Sequence, residues 1–228
     1  MSSPENISPV NPLPPVIVAL FLVIMGIELV FQLGARGLAG GPAGIGWRVS
    51  AIRSYGVNSD VAAWMLQNGR YPAEHLIRYV SYIFIHGTFT HALFAGAMLL
   101  ALGKFVGEVF SQWATLLLFI ASSVGGAVIY GALAGQQLML VGAFPGVYGL
   151  IGGFTYLIWL KLGQMGAQQA RAFSLIGVLM ALQLIFGVLF GSNGEWLADV
   201  SGFAFGFALS FLLAPGGWAK IRDRIRRQ

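Results

Sequence analysis

The chain has 228 residues, of which 57% are hydrophobic and only 9% are charged, and its formal net charge is +5. Soluble domains carry about 25% charged residues, so this composition excludes an ordinary soluble protein and favours one that crosses a membrane. Because the chain contains no cysteine, disulfides, thiolate metal sites and a cysteine nucleophile are excluded as well.

Six stretches are apolar enough, and close enough to the required length of about 20 residues, to cross the hydrocarbon core as helices. In chain order they are 16–33, 82–106, 113–133, 140–160, 173–190 and 196–213. We therefore predict an all-α membrane protein, a six-helix membrane domain over residues 16–214. The opening MSSPENIS has no basic residue, so we expect the first span to be retained as an anchor and not cleaved as a signal peptide.

The connection between the first two spans, residues 34–81, is too long and too apolar to be a simple linker. Aromatic and aliphatic residues are spread between its charges. Such a mixture suits helices that lie in the membrane interface. We expect a compact, structured loop that rests on the external surface of the membrane.

Basic residues indicate the orientation of the chain. They occur in the connection between the fourth and fifth spans and in the tail 215–228. The positive-inside rule makes that side cytoplasmic, and with six spans the segment 1–15 is cytoplasmic too. The arginines of 34–81 oppose this assignment, but charges in long connections carry less weight. The tail is expected to contact anionic lipid, at about 1 kcal/mol per basic residue, and not nucleic acid.

Small residues recur at helical spacing in the fourth and sixth spans. In the fourth they are Gly142, Gly146, Gly149 and Gly153, and in the sixth they are Ala198, Gly202 and Gly206. Residues three or four apart share a helical face, and small residues at that spacing let membrane helices approach closely. We expect the fourth span to pack on the sixth within one chain, with dimerisation as the alternative.

Two acidic residues fall within predicted spans, Glu28 in the first and Asp199 in the sixth. A carboxylate at the bilayer centre costs at least about 2.5 kcal/mol, so each needs a partner or a function. Either residue could be a satisfied structural acid or part of a proton or ion path. We favour the structural interpretation.

Three segments resemble those of the rhomboid intramembrane proteases, six-helix membrane proteins in which a Ser–His dyad cleaves transmembrane substrates. In HGTFTHALFAGAMLLALGKF, His91 matches the histidine of the family's H-x-x-x-N motif, and Ala95 occupies the asparagine position. Arg78 matches the arginine of a preceding Trp-Arg pair, with Ile77 in place of the tryptophan. The resemblance implies that this motif helps to form an oxyanion hole.

The other two segments carry the positions of the family dyad. GAFPGVYGLIGG resembles G-x-S-G-x-x-x-G, with Phe144 at the position of the nucleophilic serine and Pro145 at that of the next glycine. ADVSGFAFG resembles A-H-x-x-G-x-x-x-G, with Asp199 at the position of the catalytic histidine. A serine protease needs an oxygen nucleophile and a base within hydrogen-bond reach. Phe144 has no nucleophilic atom, so we expect no catalytic residue in this chain.

We expect a rhomboid-like integral membrane protein that is an inactive pseudoprotease and binds transmembrane segments of client proteins. One alternative is an active intramembrane serine-type endopeptidase with an unusual or misaligned dyad, drawn from Ser122, Ser123 and Ser201. Side chains two residues apart on a helix do not face each other, which disfavours a pair of Ser201 with Asp199.

A transporter or proton sensor is the second alternative, suggested by Glu28, Asp199, His86 and His91. The chain lacks the visible inverted repeats of many transporters. His86 and His91 are five residues apart, a poor spacing for metal ligands on one helix, so we expect no metal and no cofactor. The compact chain suggests a bacterial inner membrane, with both termini in the cytoplasm.

Overall fold

The computed structural model describes residues 12–135, 137–190 and 194–215. The predicted cytoplasmic segment 1–15 and basic tail 215–228 fall almost wholly outside the described residues. The expectations for lipid contact by that tail therefore stay predictions.

Helices account for most of the described chain. The first long helix and the connection that follows it comprise α1 (Pro15–Ala35), α2 (Gly41–Gly44), α3 (Trp47–Tyr55), β1 (Val57–Asn58), α4 (Ser59–Asn68), α5 (Ala73–Leu76) and α6 (Arg78–Ser81). After a 3₁₀ turn at Tyr82–Phe84, the remaining elements are α7 (Phe89–Gly107), α8 (Gln112–Leu133), β2 (Met139–Leu140), α9 (Phe144–Gln164), α10 (Ser174–Phe190) and α11 (Glu195–Leu213), with a second 3₁₀ turn at Gln169–Phe173.

Local sequence explains where several helices begin. The side chains of Asn58, Thr88 and Ser111 each accept a hydrogen bond from a backbone N–H in the first turn of α4, α7 and α8 respectively. Such caps satisfy N–H groups that have no partner within the helix. Pro15 opens α1, where the missing N–H costs nothing and the fixed φ angle suits a helix.

Within the described residues, α1, α7, α8 and α11 are long and apolar enough to cross a membrane. The prediction of an all-α membrane protein is confirmed at this level. The other two predicted spans correspond to α9, whose 21 residues include several glycines and Lys161, and α10, which has 17 residues. Glycine and lysine lower the apolarity of α9, and α10 is shorter than the roughly 20 residues that a perpendicular crossing requires.

The predicted starts of two spans differ by at least four residues from those of the structure. The second span was predicted from residue 82, but α7 begins at Phe89 because a 3₁₀ turn and an extended segment precede it. The fourth was predicted from residue 140, but α9 begins at Phe144 after β2. Gly142 therefore precedes α9 and has a φ of 104°, so it does not share a helical face with the glycines that follow.

The centre of the bundle is the contact of α9 with α8 and α11. A Cβ atom on Gly202 would meet the carbonyl oxygen of Pro145, and one on Gly206 would meet that of Gly149. On the other side, a Cβ on Gly146 would collide with the side chains of Ser123 and Phe119 of α8. Backbone therefore lies directly on backbone between α9 and α11, which only glycine permits.

Gly206 offers a direct test of this contact. Gly206→Ala places a methyl group on the Gly149 carbonyl, so the variant is expected to lose about 1–3 kcal/mol of stability through overpacking. Gly177→Ala in α10 is the control, because a Cβ there meets nothing within 4 Å. Thermal unfolding in detergent micelles should show a lower melting temperature for Gly206→Ala only. Equal melting temperatures would contradict the close approach.

Candidate functional site

The turn before α9 is built around Gly142. Its N–H donates to the carbonyl oxygen of Tyr82 at 2.9 Å. A Cβ on Gly142 would lie 2.8 Å from Cε1 of His91, and the φ of 104° is one that side-chain-bearing residues rarely adopt. Glycine is therefore required both by the backbone conformation and by the imidazole that packs on it.

The long first connection holds this turn in place. Strands β1 and β2 pair antiparallel, with Val57 opposite Leu140 and Asn58 opposite Met139. The Ser59 N–H donates to the carbonyl oxygen of Leu138 at 3.1 Å, which extends the pairing by one residue. Residues 57–59 thus fix the chain that enters the site.

His86 lies in the turn before α7 and accepts at Nε2 a hydrogen bond of 3.2 Å from the N–H of Ala143. The side chain is almost fully buried. Burial lowers the pKa of His86 to about 3, and the nearby His91 acts in the same direction. The imidazole is therefore neutral, as an acceptor nitrogen requires, and it serves as a structural support for the start of α9.

Phe144, which the sequence resemblance places at the position of the family nucleophile, is the first residue of α9. Its ring stacks on the imidazole of His91, with 5.1 Å between centroids and 13° between planes. His86 packs edge-on against the ring of His91, with 5.1 Å between the ring centroids. The structure thus brings the predicted positions Phe144 and His91 together, but as an aromatic stack.

Asp199 lies in the second turn of α11 and is only 3% exposed. Its Oδ2 accepts a hydrogen bond of 2.6 Å from Nε2 of Gln183 in α10. The sequence analysis missed Gln183, although a polar residue in the middle of an apolar span is itself a signal of a buried contact. Asp199 is therefore bound by a neutral amide from a neighbouring helix.

These elements enclose a cavity of about 490 Å³. It is lined by Gly87, Thr88, His91, Met139, Leu140, Val141, Phe144, Pro145, Gln183, Glu195 and Asp199. The lining thus joins both family dyad positions with an amide and a second carboxylate. The Thr88 hydroxyl in this lining accepts a hydrogen bond of 3.1 Å from the N–H of His91, and Thr88 thereby caps α7.

The serines considered as alternative nucleophiles do not line this cavity. The hydroxyl of Ser123 donates to the carbonyl oxygen of Phe119 at 2.8 Å, within α8. Ser122 is fully buried against Gly149, between α8 and α9. Ser201 lies two residues beyond Asp199 on α11 and is half-buried.

The other residues that the resemblance singled out contact or pack within neighbouring helices: Arg78, Ala95 and Ala198. Arg78 in α6 donates from Nη1 to the carbonyl oxygens of Arg53 and Gly56, at 2.8 and 3.2 Å, so it ties α6 to the end of α3. Ala95 lies one turn beyond His91 in α7 and is fully buried. Ala198 is also buried, and its carbonyl oxygen leaves no room for a Cβ on Gly126 of α8.

Glu28 is held by a salt bridge with Arg48 of α3. The guanidinium donates to both carboxylate oxygens, Nη2 to Oε1 at 2.6 Å and Nη1 to Oε2 at 2.9 Å, and Gln32 donates to Oε1 at 2.9 Å. Nη1 of Arg48 also donates to the carbonyl oxygen of His86 at 2.7 Å. Glu28 is therefore a satisfied structural acid, and its partner links α1 to the turn beside the site.

Replacing Arg48 tests how much the salt bridge between Arg48 and Glu28 contributes to the stability of the protein. Arg48→Ala leaves the Glu28 carboxylate buried without its cation, which is expected to cost about 3 kcal/mol. Arg53→Ala is the matched control, because Arg53 lies one turn away in the same helix with an exposed side chain. Unfolding in detergent should show a large loss for Arg48→Ala alone. A similar small change in both variants would show that the pair contributes little.

Comparison with known proteins assigns the fold and its site to a family. The family model described as Rhomboid domain matches residues 73–216, which is more than half of the chain and contains α7 to α11. No protein of curated function matches the chain. With the match extending across the cavity, the Gly142 turn and the α9–α11 contact, the chain belongs to the rhomboid family.

Proposed function

We propose that this rhomboid-family protein is catalytically inactive and binds transmembrane segments of other membrane proteins. The observation that carries the proposal is the stack of Phe144 on His91. This stack occupies the head of α9, where the family resemblance places a serine hydroxyl. A hydrocarbon ring in that place supplies neither a nucleophile nor a proton to transfer.

The surroundings of Phe144 also argue against acyl transfer. Pro145 has no N–H, and backbone N–H groups are the usual stabilisers of an oxyanion. The N–H of Ala143 is already donated to His86. Asp199, at the position that the resemblance assigns to the base, accepts a hydrogen bond from the amide of Gln183. The nucleophile, the base and the oxyanion donor are therefore all compromised.

Features of α10 support binding of a helix from another protein. Several of its large apolar side chains are exposed: Leu175, Val178, Leu182, Ile185, Val188 and Leu189. The helix also carries Gln183, whose side-chain amide donates a hydrogen bond to Asp199 at the edge of the cavity. A client helix against α10 would meet an apolar face beside a polar recess. Packing and interhelical hydrogen bonds are the forces that join helices in lipid.

We further propose that α9 and α10 cross the membrane, so that the chain has six spans and both termini are cytoplasmic, in a bacterial inner membrane. The apolar composition of α10 and the central packing of α9 support this arrangement. Both helices would need to cross for the 161–171 connection to share the side of the tail.

Reporter fusions distinguish six spans from four. With six spans, a chain truncated after Gly166 and fused to alkaline phosphatase should be inactive, and the same truncation fused to a fluorescent protein should fluoresce in the cytoplasm. Truncation after Gly69 serves as the external control and should give the opposite pair of results. Phosphatase activity at Gly166 would refute the crossing of α9.

Photo-crosslinking tests client binding. A photoreactive amino acid at Val141, which lines the cavity, is expected to give discrete adducts with other membrane proteins in native membranes. The same group at Leu22 of α1, 61% exposed on the bundle surface, is the control and should give none. Met139→Trp, which narrows the cavity, should weaken the Val141 adducts. Adducts with lipid alone at Val141 would overturn the proposal.

A fluorophosphonate probe tests inactivity. The purified protein is expected to remain unlabelled, because Phe144 cannot form a covalent adduct. Labelling that disappears in Ser201→Ala or Thr88→Ala would establish the alternative of an active endopeptidase with an unusual nucleophile. Proton or solute flux in proteoliposomes that is lost in Asp199→Asn would instead establish the transporter alternative.

A further inference from the structure

A second cavity, of about 320 Å³, lies outside the site described above, between the long first connection and α8. Side chains of α4, the segment 71–80 and α8 form its walls: Ala62, Met65, Leu66, Tyr71, Leu76, Tyr79, Val80, Val124, Val128, Gly131 and Ala132. Every one of these residues is apolar apart from the two tyrosine hydroxyls. The cavity therefore suits a hydrocarbon ligand.

Its shape follows from a close contact at Gly131. A Cβ there would lie 2.8 Å from Cβ of Ala62 and 3.1 Å from the hydroxyl of Tyr79, so α4 and α6 press on α8 at that point. Beside this contact the walls separate and the cavity opens. Leu66, Tyr71 and Val128 each remain about half exposed at its margin. The cavity is thus closed at one side and open at the other.

The elements beside the open side of this cavity indicate that it faces lipid. One wall belongs to α8, which is long and apolar enough to cross a membrane. The exposed Val128 and Leu133 lie on that helix, where acyl chains surround a membrane-spanning segment. A groove of about 320 Å³ that is lined by apolar side chains and open on one side can accommodate part of a flexible acyl chain.

Charge at the margin favours an anionic headgroup. Arg70 immediately precedes Tyr71, is exposed, and has no ion pair among the described residues. The connection 34–81 carries five arginines and only two acidic residues, Asp60 and Glu74. An arginine guanidinium forms charge-assisted hydrogen bonds with phosphate groups such as those of phospholipids. We propose that this cavity binds one acyl chain of an anionic phospholipid, with Arg70 near the phosphate, independently of client binding at the first cavity.

Photoreactive phospholipids test the acyl-chain part of this site. The protein in vesicles of phosphatidylcholine that contain a minor share of photoreactive phosphatidylglycerol should be labelled in peptides that contain Leu66 or Val128. Val128→Trp fills the cavity and is expected to reduce this labelling about tenfold, as loss of a buried apolar contact implies. Leu117→Trp is the matched control, since Leu117 is 51% exposed and Val128 is 50% exposed on the same helix. Equal labelling in both variants would overturn the proposal.

The headgroup preference has a separate measurement. Arg70→Gln is expected to lower the ratio of phosphatidylglycerol to phosphatidylcholine labelling about fivefold. Arg36→Gln, an exposed arginine at the end of α1, should leave that ratio unchanged. An unchanged ratio in Arg70→Gln would refute the role of its charge. Protein adducts in native membranes from a photoreactive group at Ala132, without lipid adducts, would identify a protein as the occupant and refute the lipid site.

Discussion

The contact of backbone on backbone between α9 and α11 is the constraint on which the rest of this structure depends. Gly202 and Gly206 of α11 lie against the carbonyl oxygens of Pro145 and Gly149, where no side chain would fit. Because the two helices touch along this line, the first turn of α9 lies beside Gly202, three residues from Asp199. Phe144 and Asp199 consequently reach the same cavity.

The two buried acids of the bundle are stabilised in different ways. Glu28 accepts hydrogen bonds from both terminal nitrogens of the Arg48 guanidinium and from the Gln32 amide, so its charge is compensated within the protein. Asp199 receives an amide, which donates a hydrogen bond but no compensating charge. A buried carboxylate without a cation is costly unless other groups or a ligand help to satisfy it. The cavity beside Asp199 is therefore the more suitable of the two places for a polar group from outside.

The aromatic stack fills the space at the head of α9. Phe144 packs on His91, and His91 in turn packs on His86 and on Gly142. The ring thus takes over a packing role in a turn that is held by β1, β2 and the Tyr82 carbonyl. A serine at this position would leave the space of the ring unfilled.

Composition and spacing by themselves determined the membrane class and the helical architecture of this protein. Apolar runs and four-residue glycine spacing are local properties, so they can be read without knowledge of distant contacts. Only the tertiary structure decided that Gly142 belongs to a turn, because its φ follows from the strand pair and the imidazole that surround it. The tertiary structure also decided which residues bind Glu28 and Asp199. Arg48 is 20 residues from Glu28 and Gln183 is 16 from Asp199, and no local pattern specifies which helices bring such residues together.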